Sequence, residues 1–124
     1  MGDTALFDRL FAAIPQALKL SGISRDQIDW IEAANNYVKL VVGNTNYLLR
    51  EGISSIETQL DPTRFVRVHR SVIVNIERIK SMKPWFSGDY ILHLHTGQQL
   101  RLSRTHRDKL AQAMAADSPG RDAE

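Results

Sequence analysis

A chain of 124 residues, 43% hydrophobic, with 16 Lys and Arg against 14 Asp and Glu, can bury one core without disulfides or a structural metal. It holds no cysteine, which excludes thiolate zinc sites, redox motifs and a disulfide framework. Its apolar runs fall far short of the ~20 residues that span a bilayer, and its start lacks a basic-then-apolar signal pattern, so a cytoplasmic protein with no membrane segment is expected.

The net charge of +2 conceals a partition along the chain. Residues 1–61 carry five basic and eight acidic side chains, 62–109 carry ten basic and three acidic, and 110–124 carry one basic and three acidic. The basic stretch suits a polyanionic partner, although surface strands also carry Arg and Lys for solubility.

Asp3 followed by Leu6, Phe7, Leu10, Phe11, Ile14 and Leu18 has the cap and spacing of an amphipathic helix, kinked or restarted at Pro15 and ended by Ser21-Gly22. Such a helix either packs on its own domain or serves dimerisation or partner contact. From Ile28 the pattern turns to short β-rich runs. Strands are expected over 28–33 and 37–42, separated by Ala34-Asn35-Asn36, with Gly43-Asn44 as a hairpin turn into a third over 45–50. Ile53, Ile56 and Leu60 before Asp61-Pro62 indicate a short helix over 52–60. Further strands follow at 65–68, 72–76 and 78–83, the last closed by Pro84. Ser87-Gly88 and Thr96-Gly97 flank a strand over 89–95, and 98–102 is its hairpin mate. Residues 104–116 form a last helix with Ser103 as N-cap and Leu110, Ala113 and Met114 on one side. The tail after it, with Pro, Gly and several charges, is expected to be disordered. The domain plan is therefore 1–24, 25–116 and 117–124, mostly β with antiparallel pairing and no strand–helix alternation.

Enzyme motifs are absent: the sequence contains no P-loop, dinucleotide fingerprint, Gly-x-Ser-x-Gly elbow or His-Glu-x-x-His. His93 and His95 leave one strand face together and could share a metal, but no third ligand lies nearby, and a solvated face opposite Tyr90, Leu92 and Leu94 explains them as well. His69 and Ser71 lack an orienting acid for nucleophilic chemistry. No catalytic residue, metal or cofactor is assigned.

The segment Phe65-Val66-Arg67-Val68-His69-Arg70-Ser71-Val72-Ile73-Val74-Asn75 is more specific. Strand alternation breaks at His69-Arg70-Ser71, which places a cationic turn on an apolar base. Arg70 there could offer its planar fork to guanine O6 and N7, with His69 or Ser71 on a phosphate or base edge; alternatively Arg70 pairs with an acid and His69 is a buried hydrogen-bonded ring. Two other polar spots accompany it. Asn35-Asn36-Tyr37 lies at the first strand turn, where Asn also serves ordinary turn chemistry. Ser103-Arg104-Thr105-His106-Arg107 opens the last helix, whose free amides suit a phosphate.

The succession Trp30-Ile31-Glu32-Ala33, Asn36-Tyr37-Val38-Lys39-Leu40, Phe65-x-Arg67-x-His69-Arg70-Ser71-x-Ile73-Val74-Asn75, Gly97 to Leu100 and Leu102-Ser103-Arg104 resembles the LytTR DNA-binding domain of bacterial transcription regulators, over roughly residues 25–113. The resemblance implies an elongated, mostly-β domain of short antiparallel sheets around a small central helix, which places loops into successive major grooves of double-stranded DNA. The DNA-facing positions would be Asn35, Asn36 and Tyr37 in the first loop, His69 and Arg70 in the second, and Arg104 near the last helix. Arg70, Arg104 and Asn36 would approach bases; Lys39, Arg67, Ser71 and Arg107 would meet phosphates; Asn75 would stabilise the turn that aims His69 and Arg70. Two copies on direct repeats are implied. Such domains usually follow a receiver domain of a two-component system or a membrane segment. Only about 25 residues precede the motifs here, so the chain is expected to be an excised response-regulator output domain or a short regulator whose first helix mediates homodimer or sensor-protein contact. The alternatives are a β-rich protein–protein adaptor using the basic face and first helix, and a metal hydrolase built on His93 and His95.

Overall fold

The computed structural model describes residues 25–117. The expectations for a helix within 1–24 and a tail beyond 117 lie outside the described residues. The elements are β1 (Trp30–Ala34), β2 (Tyr37–Val42), β3 (Thr45–Leu49), α1 (Ile53–Glu57), β4 (Phe65–His69), β5 (Val72–Asn75), β6 (Ile79–Pro84), β7 (Tyr90–Leu94), β8 (Gln99–Leu102) and α2 (Arg107–Asp117). Short 3-10 turns cover Arg25–Gln27, Ile76–Arg78 and Arg104–His106. The mostly-β expectation holds, with antiparallel pairing throughout.

Two sheets form, one of five strands in the order β3-β2-β1-β5-β4 and one of three in the order β6-β7-β8. Period-two alternation divides the larger sheet between two cores. Ile31, Val38, Leu40, Phe65 and Ile73 leave one face and meet Ile53, Ile56 and Leu60 of the α1 region. Trp30, Val66, Val68 and Val74 leave the other and meet Leu92, Leu94, Leu100 and Leu102 of the smaller sheet, together with Leu110 of α2. The large sheet is thus apolar on both faces near its centre. Its β2–β3 end is less covered, and Leu48 there is 64% exposed.

Three local features differ from the sequence expectations. The first helix is shorter than 52–60: it runs only Ile53–Glu57, with Gly52 as cap and Thr58 closing it, and Leu60 reaches the core from the following turn. The last helix opens as a 3-10 turn at Arg104 and becomes α-helical at Arg107. Ser103 takes the extended backbone of a cap but makes no capping bond with its side chain; its hydroxyl pairs instead with His106 Nδ1 at 2.7 Å.

Asn75 does not brace the 69–71 turn. It lies at the opposite end of β5, fully buried, donating from Nδ2 to the carbonyls of Asp26 (3.0 Å) and Ile28 (2.9 Å) and accepting from the Glu77 amide (3.0 Å). Its work is to join the segment before β1 to the turn after β5. Buried Asp29 supports the same end, accepting from Arg78 Nε at 2.6 Å and the Gly43 amide at 2.9 Å.

Candidate nucleic-acid interface

Sheet register brings the sequence-nominated loops to one end of the molecule. Ala34 pairs with Tyr37, leaving Asn35 and Asn36 as the β1–β2 turn, and Asn35 takes a positive φ of 57°. This is the left-handed conformation that Asn tolerates better than most residues. The Ala33 amide donates to the Ser71 carbonyl at 2.8 Å, which sets the β4–β5 turn beside the β1–β2 turn. The Ser103 amide donates to the Val68 carbonyl at 2.8 Å, which sets the β8–α2 junction on the other flank of the same turn.

The β4–β5 turn is built on a register shift between Arg67 and His69. The bulge lets Val68 stay in the core while the chain reverses within Arg70 and Ser71. Arg67 is the brace. Its guanidinium donates to Glu57 Oε1 at 2.9 Å, to the His69 carbonyl at 3.2 Å and to the Arg70 carbonyl, and its side chain is only 16% exposed. Glu57 also meets Lys109 of α2 at 3.3 Å. Burial pushes the Glu57 carboxyl up, but hydrogen bonds from Arg67 and Lys109 outweigh it and hold the group below its ordinary range. The planar fork of Arg67 therefore holds the turn from within.

Arg70 is exposed at the turn, and its guanidinium makes no ion pair with any described residue. The internal carboxylate lock for Arg70 is thus not seen among the described residues. His69 is half-buried, and its Nδ1 accepts from the Ser71 amide at 3.2 Å. Accepting there puts the proton of the neutral ring on Nε2, which is left as a donor. Burial first, then the charges of Arg101 and Arg70, hold His69 below its ordinary pKa.

Arg104 is exposed and its side chain joins no ion pair among the described residues, but its amide donates to Asp89 Oδ1 at 2.9 Å. The first amide of the last helical turn, expected to be open to an outside anion, is thus answered by an internal carboxylate. Arg107 is exposed, with its guanidinium carbon 5.7 Å from the centre of the Tyr90 ring. Lys39 lies on the face of the large sheet, paired with Glu32 at 3.3 Å and over the Trp30 ring at 5.3 Å. Tyr37 is exposed beside Asn36, with Arg50 over its ring at 5.7 Å.

Arg50, Asp89 and Arg101 were not singled out in the sequence. Arg101 is exposed on edge strand β8 and donates from Nε (3.0 Å) and Nη2 (2.5 Å) to Asp89 Oδ2. It also lines a shallow groove with Trp30, Glu32, His69 and Ser71. Hydrogen bonds from Arg101 and the Arg104 amide hold the Asp89 carboxyl below its ordinary range. Only the alternation of Gln99-Leu100-Arg101-Leu102 hinted at an outward Arg101. The partnership with Asp89 spans a hairpin and had no local signal.

His93 is half-buried on β7 and His95 exposed just beyond it; among the described residues, no three His, Asp or Glu side chains gather as a metal site. No helix among the described residues is long and apolar enough to cross a membrane.

The LytTr DNA-binding domain family model matches residues 19–115. The chain is 34% identical over 76 residues to the sensory transduction protein LytT of Bacillus subtilis, covering 61% of this chain and 32% of that protein. It is 30% identical over 87 residues to the transcriptional regulatory protein LytR of Staphylococcus aureus, covering 70% of this chain and 35% of that protein. The matched segments thus span about a third of each of these curated relatives. The fold matches the LytTr DNA-binding domain of a Bacillus cereus response regulator with a TM-score of 0.66 at 20% identity, covering 71% of this chain and 81% of that one.

Proposed function

Because this chain belongs to the LytTr DNA-binding domain family, we propose that it is a sequence-specific regulator of transcription that binds double-stranded DNA, reads the major groove with loops, and occupies direct repeats as two copies. The observation that carries this reading is the gathering of the β1–β2 turn, the β4–β5 turn and the β8–α2 junction at one end, with the guanidinium groups of Arg70 and Arg104 outside every ion pair among the described residues.

Arg70 and Arg104 approach base edges, where a planar fork matches guanine O6 and N7. Asn36 meets a base from the first turn, with Asn35 setting the turn and Tyr37 beside it. His69 offers Nε2–H to a phosphate or base edge, and Ser71 and Arg107 serve the backbone. Arg67 acts from behind, as the brace that aims Arg70, and Lys39 is drawn partly away by Glu32. Contact of the first segment with a second copy or a sensor protein belongs to the same proposal.

Selection of binding sites from random duplex DNA tests it. One motif, present twice in the same orientation, is the expected result, with log affinity falling against log salt by about 0.9 per phosphate contact. Failure to enrich any sequence refutes the reading and leaves the protein–protein adaptor.

A further inference from the structure

The turn between β6 and β7, residues 85–88, carries two aromatic rings outside both cores. Trp85 is 48% and Phe86 68% exposed. The turn itself is rigidly made. The Trp85 amide donates to the Asp89 carbonyl and the Asp89 amide to the Phe86 carbonyl, both at 2.8 Å, while Ser87 and Gly88 take φ values of 53° and 86°. The rings lie 5.1 Å apart, and the Arg101 guanidinium carbon is 5.3 Å from the Trp85 centroid.

This aromatic tip is joined to the DNA-facing end at two points. A Cβ placed on Gly88 would sit 3.4 Å from Arg104 Cδ, so the turn backbone packs on the stem of Arg104. Asp89, which closes the turn, holds the Arg104 amide and the Arg101 fork, and Arg101 in turn lines the groove with His69.

We propose that Trp85 and Phe86 are a further DNA contact, packing on the apolar surface of nucleotides, the deoxyribose carbons and thymine methyl groups, next to the base approached by Arg104. The proposal rests on the DNA-binding reading above. The occupant is a polyanion because Arg101 lies over the Trp85 ring, the stem of Arg104 packs on the turn at Gly88, and Lys83 stands two residues before Trp85 in the chain, while the carboxylate that closes the turn, Asp89, is already held by Arg101 and the Arg104 amide. Aromatic rings contribute contact area without charge, a tolerant way to grip nucleotides beside a cationic reader.

The test uses the full chain and a duplex recovered by selection, with Phe86→Ser and the double variant Trp85→Ala/Phe86→Ala. Phe86→Ser is expected to lose about tenfold in affinity, the scale of one aromatic contact with a nucleotide, and the double variant more, since it removes both rings, each with an unchanged salt slope because no charge is removed. Unfolding midpoints guard against misfolding; if the double variant is unstable, Phe86→Ser decides alone, since its ring is the more exposed. Equal affinity for variant and parent overturns the proposal, and so does a loss accompanied by a shallower salt slope, which would assign the effect to a displaced Arg101. If the parent chain itself prefers no sequence, the DNA reading has failed; if the parent binds and Phe86→Ser binds equally, only the aromatic contact has.

Discussion

One carboxylate, that of Asp89, holds the Arg101 fork on Oδ2 and the main-chain amide of Arg104 on Oδ1. A hairpin turn, an edge strand and the start of the last helix are fastened together by this group. Asp89→Asn keeps the shape but removes the charge that both bonds use. Because the folded-state carboxyl lies below its ordinary range, its stabilisation is present above the unfolded-state pKa and lost as pH falls through the folded-state value. Asp89→Asn is therefore expected to lower the unfolding midpoint near neutrality and to shrink the gap to the parent protein in acid. Calorimetry across the acid range measures it; a gap that widens toward low pH contradicts the assignment.

Arg67 and Arg70 are three residues apart and have opposite fates: the first is held by Glu57, and the second extends free of the described carboxylates. Arg67→Lys retains the charge but cannot reach Glu57 and two carbonyls with one ammonium. It is expected to destabilise the fold by about 1.5–3 kcal/mol, the scale of a hydrogen bond to a charged group, and to weaken DNA binding with the salt slope unchanged. A Lys variant as stable as the parent would return Arg67 to the role of a phosphate contact.

Arg70→Ala is expected to cost about 1–3 kcal/mol on the selected site and to relax the preference at one base pair. Arg107→Ala should weaken all sequences alike and reduce the salt slope by about 0.9. Repeating the site selection with each variant separates the two roles, and an unchanged preference with Arg70→Ala would remove that residue from base reading.

His69 accepts the Ser71 amide only while its Nδ1 is unprotonated. Its folded pKa lies below the ordinary histidine value of about 6.5, so below that value the unfolded chain binds more protons than the folded one. Stability from this group is complete above the unfolded pKa and is lost as pH falls through the folded one. His106, also depressed, first by burial and then by the charge of Arg67, acts in the same direction. Imidazole NMR titration should place the His69 midpoint below the free value, and His69→Gln should flatten part of the stability slope in mildly acidic buffer. A midpoint above the free value would mean that the protonated ring is the favoured form.

Asn75→Ala would strand the buried Ile28 carbonyl and leave the Glu77 amide without its partner, at an expected cost of about 1–3 kcal/mol. Since Asn75 lies at the end of β5 remote from the turns proposed to meet DNA, the base preference of the folded fraction should not change. Denaturant unfolding together with site selection checks both halves.

Much of this was legible in one dimension. Gly43-Asn44, the break at His69-Arg70-Ser71, and Ile53, Ile56 and Leu60 at helical spacing announce turns, a bulged hairpin and a core-facing helix, because backbone preference and side-chain period act between near neighbours. The motif around Arg67 to Asn75 likewise resembles that of a DNA-binding domain family in the sequence alone. Role assignment within that motif was another matter. Arg67 and Arg70 are chemically identical in the sequence, and only the placement of Glu57, ten residues earlier, makes one a brace and leaves the other to reach outward. Asn75 reads as support for a nearby turn until the fold sets it against Asp26 and Ile28, 49 and 47 residues away. Asp89, Arg101 and the exposed pair Trp85 and Phe86 acquire meaning only when two sheets close on each other and bring their loops to one end. Local chemistry determined the elements; which charges are answered inside the protein and which stand outside every ion pair among the described residues was decided by tertiary packing, since ion pairing depends on distance in space and not along the chain.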